Sequence, residues 1–249
     1  MLTALANPAR FMAVSRPLAP ALGALAAVLL ALGTWLSFTA PPDYQQGDSV
    51  RMMFVHVPAA YMGLFAYAVL GAASFAGLVW RHALADAAAK AAAPLGAGFT
   101  LLALVTGSLW GRPMWGAWWV WDARLTSVLV LFLLYLGYLA LHAASEDEAR
   151  AARAASILAL GGLINLPIVK FSVDWWNTLH QPASLLRRGG PSVSPEILTP
   201  LLVMCGAYTC LFLSLWLVRT RAEVWRRRAL SQRRAPAMRA VLAPASGAT

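Results

Sequence analysis

The side chains with most chemistry to offer are a run of tryptophans and two histidines. The run W-G-R-P-M-W-G-A-W-W-V-W holds five of the chain's eleven tryptophans: Trp110, Trp115, Trp118, Trp119 and Trp121. Asp122 and Arg124 follow directly in D-A-R-L-T. An indole offers a large flat apolar face and one N–H donor. One or two per helix end make an ordinary membrane-interface belt. Five in one connector read instead as a surface for something flat and greasy. His56 ends R-M-M-F-V-H-V-P, and His180 closes K-F-S-V-D-W-W-N-T-L-H-Q-P after the pair Trp175 and Trp176. Imidazole is a usual axial ligand of haem iron, and a porphyrin is flat and greasy. A haem also carries two propionates, and the planar fork of arginine suits carboxylates. Arg51, five residues before His56, and Arg124 are the candidate cations, with a routine flanking charge as the alternative for each. Asp122 is open between a first-turn acid favouring a helix start and a group orienting an arginine or an indole N–H.

These groups need a scaffold, and composition supplies its class. The chain has 249 residues, 60% hydrophobic and 12% charged. A soluble domain averages about 25% charged residues, and a membrane-spanning helix needs about 20 apolar ones. The expectation is an all-α integral membrane protein, a bundle of six transmembrane helices. The spans are placed at 17–38, 58–80, 94–109, 126–141, 154–169 and 197–218, in one polytopic domain over 1–249 with a basic tail at 219–249. The third span is short and can borrow length from the Ala-rich stretch before it. Pro58, Pro94 and Pro195 sit near span starts, where a missing N–H costs little. Pro167 either kinks the fifth span or ends it early. The first span is too long for a signal-peptide core and is expected to be retained.

The net charge of +10 raises the question of nucleic acid, but its distribution answers otherwise. Fourteen of the twenty basic residues fall at the termini and in the second and fourth connectors. The other six are Arg51, Arg112, Arg124, Lys170, Arg187 and Arg188. The positive-inside rule then places both termini in the cytoplasm and the tryptophan run outside. The tail reads as a stop-transfer anchor near anionic lipid.

Other chemistries find little support. Cys205 and Cys210, five apart on one helix, are too far separated for a disulfide. No C-x-x-C-H attaches c-type haem, and no nucleophile–base pair, zinc site or phosphate loop is present, so the chain is not expected to be an enzyme. No carboxylate falls inside a span, which disfavours a coupled transporter. His82 and His142, at the cytoplasmic span ends, read as snorkelling interfacial side chains. A b-type cytochrome electron-transfer subunit is the alternative, but that class sets its histidines within spans, and here all four lie at span ends.

The string from Trp110 to Thr126 resembles the WWD signature of the haem-handling membrane proteins of cytochrome c maturation (System I), an external loop flanked by two external histidines. His56 and His180 match that pattern. Among the branches sharing it, a six-span chain of this length is similar to CcmC. The similarity covers nearly the whole chain, including Q-Q-G-D-S-V-R-M-M-F-V-H-V-P-A-A before the second span. The resemblance implies haem b at the periplasmic face of a bacterial inner membrane. His56 and His180 are its implied axial ligands, on a platform of Trp110, Trp115, Trp118, Trp119 and Trp121, with Asp122, Arg51 and Arg124 alongside. It further implies docking of the haem chaperone CcmE, which takes the haem through its own histidine. The ABC transporter subunits CcmA and CcmB and the small membrane protein CcmD are the other implied partners.

Overall fold

The computed structural model describes residues 7–181 and 189–242, with side chains to residue 233. Arg187 and Arg188, counted in the charge balance above, lie outside the described residues, as does the end of the tail. Seven α-helices build it: α1 (Pro8–Thr39), α2 (Met53–Trp80), α3 (Ala83–Trp115), α4 (Ala123–Ala143), α5 (Glu148–Gly162), α6 (Asn165–Trp175) and α7 (Pro195–Leu242). A 3-10 turn, Asp48–Met52, leads into α2. Six segments are long and apolar enough to cross a membrane, α5 and α6 together making the fifth. Leu18, Leu25, Leu32, Leu101, Leu133, Leu202 and Leu215 are exposed on the outside of the bundle. A helix bundle apolar inside and out is built for lipid. Six crossings also return the chain to the side on which it began.

The helices outrun the spans expected from hydropathy. Helix α1 starts at Pro8, capped by Asn7, whose side chain accepts from Ala9 N at 2.8 Å. The expected start at Pro17 is therefore interior, and Pro17 and Pro20 are carried within the helix. Helix α3 is 33 residues long, about 50 Å at 1.5 Å per residue. It takes in the whole Ala-rich stretch at one end and Trp110–Trp115 at the other. His82 does not snorkel: its Nδ1 accepts from Ala85 N at 3.2 Å and caps α3. Gly116, at φ +74, ends the helix in the left-handed conformation that glycine favours.

The fifth span is broken rather than kinked. Helix α5 stops at Gly162 and α6 restarts at Asn165. Pro167 has no N–H to give the carbonyl of Leu163, and that carbonyl is taken by Leu166 N at 3.1 Å instead, in a tighter turn just where the helix restarts. Asn165 Nδ2 donates to Ser127 O at 2.8 Å and fastens the restart to α4.

Helix α1 packs along α7 and α2 along α3. Phe54, Met62, Tyr67, Leu70, Leu131, Tyr135 and Phe212 fill the core. Tyr135 Oη donates to Gly63 O at 2.8 Å, and its ring meets Tyr67 edge-on with centroids 5.0 Å apart. The two cysteines are free. At the end of the bundle that carries the tail, Glu223 collects Lys90 at 3.5 Å, Arg226 at 2.7 Å and Arg227 at 2.9 Å. Arg226 reaches on to Glu148 at 2.6 Å, so this cluster joins α3, α5 and α7. The other end carries the tryptophan run.

Candidate functional site

His56 sits in the first turn of α2, not in the loop before it. Its ring lies against α3: Nδ1 is 3.2 Å from Thr106 Oγ1, and the ring meets Trp110 edge-on with centroids 5.6 Å apart. The approach depends on Gly107, where a Cβ would stand 2.9 Å from His56 Cε1. Any other residue there pushes the imidazole off the helix.

His180 comes from the loop after α6 and reaches the neighbouring part of the same helix. Its ring packs on Trp115 with centroids 4.9 Å apart. Its Nδ1 faces Asp122 Oδ2 at 3.8 Å, with the Asp122 side chain only 6% exposed. Burial, then the Arg124 guanidinium, hold the His180 imidazole down to about 4 against the pull of Asp122. The ring is therefore neutral at pH 7, the form that can donate a lone pair to a metal.

Asp122 resolves the choice left open by its sequence, and takes more than one role. Oδ1 accepts from Leu125 N at 2.7 Å, capping α4, and Oδ2 accepts from Leu179 N at 3.2 Å. One carboxylate thus ties the tryptophan loop to the loop of His180. Arg124 donates from Nε to Ser172 Oγ at 3.1 Å and from Nη2 to Lys170 O at 3.3 Å. It bridges α4 to α6, just before the His180 loop, and its charge is felt at both His180 and His56. Arg51 pairs with Asp48 at 3.2 Å on its own 3-10 turn, while its Nε is buried without a partner.

The five tryptophans divide between two faces. Trp110 and Trp115 are helical and face the histidines. Trp119 and Trp121 meet edge-on with centroids 5.5 Å apart. They line an apolar cleft of about 510 Å³ with Leu104, Val105, Ser108, Leu109 and Leu129. These α3 positions lie across the helix from Ala103, Thr106, Gly107 and Trp110. Trp118 stacks under Arg112, 6.0 Å away, and is 56% exposed. Ser108 Oγ donates to Trp118 O at 2.8 Å and pins the loop to α3.

Thr106, Gly107 and Ser172 are the residues that sequence reasoning missed. Each is small and carries no signal of its own; only the meeting of two segments gives it a task. His142, expected to snorkel, is half-buried against Tyr138 with its Nε2 unpaired.

The constellation offers two imidazoles, two indole walls, a carboxylate and a guanidinium on one surface. His180 Nδ1 and the indole N–H groups of Trp110 and Trp119 are buried without partners. Buried polar atoms are normally satisfied, so His180 Nδ1 and Trp110 Nε1, beside the two histidines, call for a ligand or ordered water there, while Trp119 Nε1 belongs to the cleft face.

Comparison with known proteins completes the description. Residues 1–235 match the family model described as CcmC, heme exporter protein C. The heme exporter protein C of Bradyrhizobium diazoefficiens is 58% identical over 244 residues, covering 98% of this chain and 93% of that protein. That of Escherichia coli K12 is 47% identical over 218 residues, 87% of this chain and 88% of the other. A putative cytochrome c biosynthesis ccmC-like mitochondrial protein of Marchantia polymorpha is 44% identical over 222 residues, covering 89% and 94%.

Proposed function

This chain belongs to the CcmC family, heme exporter protein C, and from that premise we propose that it holds haem and presents it for cytochrome c maturation. The observation that carries the proposal is the convergence of His56 and His180. They come from segments more than a hundred residues apart, and each rests on a tryptophan of one run. Iron wants neutral imidazole nitrogens, a porphyrin wants indole faces, and propionates want guanidinium. The residues present fit that set. The unpaired indole N–H groups and His180 Nδ1 are further donors looking for partners.

In the proposal His56 and His180 are the axial ligands of haem b. Trp110 and Trp115 wall the iron side, and Trp119 and Trp121 extend an apolar surface toward the cleft. Trp118 lies at the rim, and Asp122 orders the two loops. Arg124 and Arg51 meet the propionates. Arg51 must leave Asp48 to do so, an exposed pair worth at most about 1 kcal/mol. The chain binds and orients; no bond is made or broken by its own side chains. The basic asymmetry supports cytoplasmic termini and a site on the opposite face; the family likeness makes a bacterial inner membrane, with the site periplasmic, the proposed setting. The haem chaperone CcmE is the proposed acceptor, with CcmA, CcmB and CcmD as companions. The same asymmetry predicts that a cysteine at Ala117, but not one at Ala235, is labelled from outside intact cells.

The test uses the full-length protein purified in detergent. Low-spin, six-coordinate haem is expected. His56→Ala or His180→Ala removes that spectrum or most of the haem, while His82→Ala and His142→Ala leave it. CcmE is left unloaded by the same two variants. An unchanged spectrum in either outer variant removes that histidine from the site. Redox turnover with quinol would favour an electron-transfer subunit instead.

A further inference from the structure

The hydrogen-bond partners of the two imidazoles differ in kind. His56 Nδ1 lies 3.2 Å from Thr106 Oγ1, with the Ala103 backbone carbonyl as a second neutral acceptor for the ring. That hydroxyl has one proton, and its shortest contact, 2.6 Å to Leu102 O, takes it. Thr106 has only a lone pair left for the ring, so His56 Nδ1 carries the hydrogen. The Nε2 of His56 then holds the free lone pair. On His180 the Nδ1 is buried without a hydrogen-bond partner, and the carboxylate of Asp122 faces it at 3.8 Å. Asp122 is held in place by Leu125 N and Leu179 N. A small turn of the imidazole closes the gap, and again leaves Nε2 free. The two rings thus present the same nitrogen, backed by different acceptors. A hydroxyl accepts a neutral hydrogen bond. A carboxylate accepts a charge-assisted one, roughly twice as strong. A carboxylate behind a ligating histidine fixes its orientation and raises its basicity toward the metal.

We infer that the two imidazoles are unequal donors to iron: Asp122 makes His180 the anchoring ligand, and Thr106 leaves His56 the weaker ligand that exchanges. Asp122 and Thr106 are then positioning residues rather than ligands. The inference rests on the reading of both histidines as axial ligands. It adds an order to them: the His56 side opens first when another ligand competes for the iron.

The experiment compares single-histidine variants of the full-length protein loaded with haem. His56→Ala leaves His180 alone, and His180→Ala leaves His56 alone. Resonance Raman of the ferrous five-coordinate forms reads the iron–histidine stretch. It should lie higher in His56→Ala, which should also retain several times more haem on dialysis. Asp122→Asn added to His56→Ala should lower the stretch toward that of His180→Ala. It should also weaken haem binding about ten- to a hundredfold. Asparagine keeps the α4 cap, since its own Oδ1 still accepts from Leu125 N, so loss of the cap does not explain such a shift. Asp122→Glu should restore part of it. Thr106→Val should move the His56 stretch less than Asp122→Asn moves that of His180. Equal stretches in the two single-histidine variants overturn the inference, as does an unmoved stretch in Asp122→Asn with haem still bound. If that variant does not fold, the comparison of the two single-histidine variants decides alone. Should both keep the wild-type six-coordinate spectrum, the ligand assignment itself fails, and the inference with it.

Discussion

The two ends of the bundle are both rich in side chains that polar chemistry requires to be paired, and they meet that requirement differently. At the tail end, Glu223 is nearly buried and has three cations within 3.5 Å. Its charge is fully answered from within the chain, and the cluster knits α3, α5 and α7. At the tryptophan end, a buried imidazole nitrogen and two buried indole nitrogens have no partner. Unpaired atoms are not exclusive to that end, since His142 Nε2 and Arg221 Nε are also orphaned. What differs is grouping. His180 Nδ1 and Trp110 Nε1 lie beside the histidines with aromatic walls and a guanidinium, whereas Trp119 lines the cleft and His142 and Arg221 stand apart. A satisfied cluster stabilises a fold; a cluster left waiting is a place for a ligand.

The contrast breaks most readily at Glu223. Glu223→Ala leaves Lys90 and Arg227 crowded beside Arg226 without their counter-charge, Arg226 keeping only Glu148. The partners are partly exposed, so the cost lies between the surface and buried limits, about 2–4 kcal/mol. Thermal unfolding in detergent should show it, with haem per folded protein unchanged. A large loss of haem at constant stability would erase the distinction between the ends.

Acid should act at the other end. The folded His180 pKa, about 4, lies below the 6.5 of the unfolded chain. Between these values the unfolded state binds the proton and the folded state does not, so stability falls as pH drops from 6.5 toward 4 and is unaffected above. The full effect is on the order of 3 kcal/mol. Unfolding midpoints followed from pH 7.5 to 4.5 should show that slope, and it should be shallower in His180→Ala.

The tryptophans sharpen the comparison within the proposed site. Trp110→Ala and Trp115→Ala remove the indoles that touch the histidines, and should cost about 1–3 kcal/mol of haem binding. Trp118 and Trp121 are 56% and 75% exposed. Their replacement should cost less, read as haem retained on dialysis. Equal losses at all four would mean one continuous platform rather than two faces. The smallest effect is expected at the tail end again. His82→Ala removes the α3 cap, worth about 1 kcal/mol, and should leave haem content alone.

The sequence legibly carried the histidines, the tryptophan run and the six spans, because residue type and long apolar stretches are local properties. It was less informative on helix ends. Trp110–Trp115 read as connector but are helical, because helix α3 continues until Gly116. That extension splits the run between two faces, which no count of tryptophans reveals. The break before Asn165 was half legible: Pro167 announced a disturbance and its place follows from the missing N–H, but the Asn165 bond to Ser127 that fastens it to a different helix was not.

The sequence by itself determined the class of the molecule. Apolar stretches of spanning length leave a chain few choices in lipid, where every backbone group must be satisfied within its own helix. It also determined the inventory of imidazole, indole, carboxylate and guanidinium. Tertiary structure alone decided which of them meet. Asp122 lies beside His180 because α4 and the loop after α6 are brought together. His56 lies on Thr106 because Gly107 lets α2 and α3 close. Those pairings span 50 and 58 positions of sequence, and distances of that kind are set by packing, not by any local pattern.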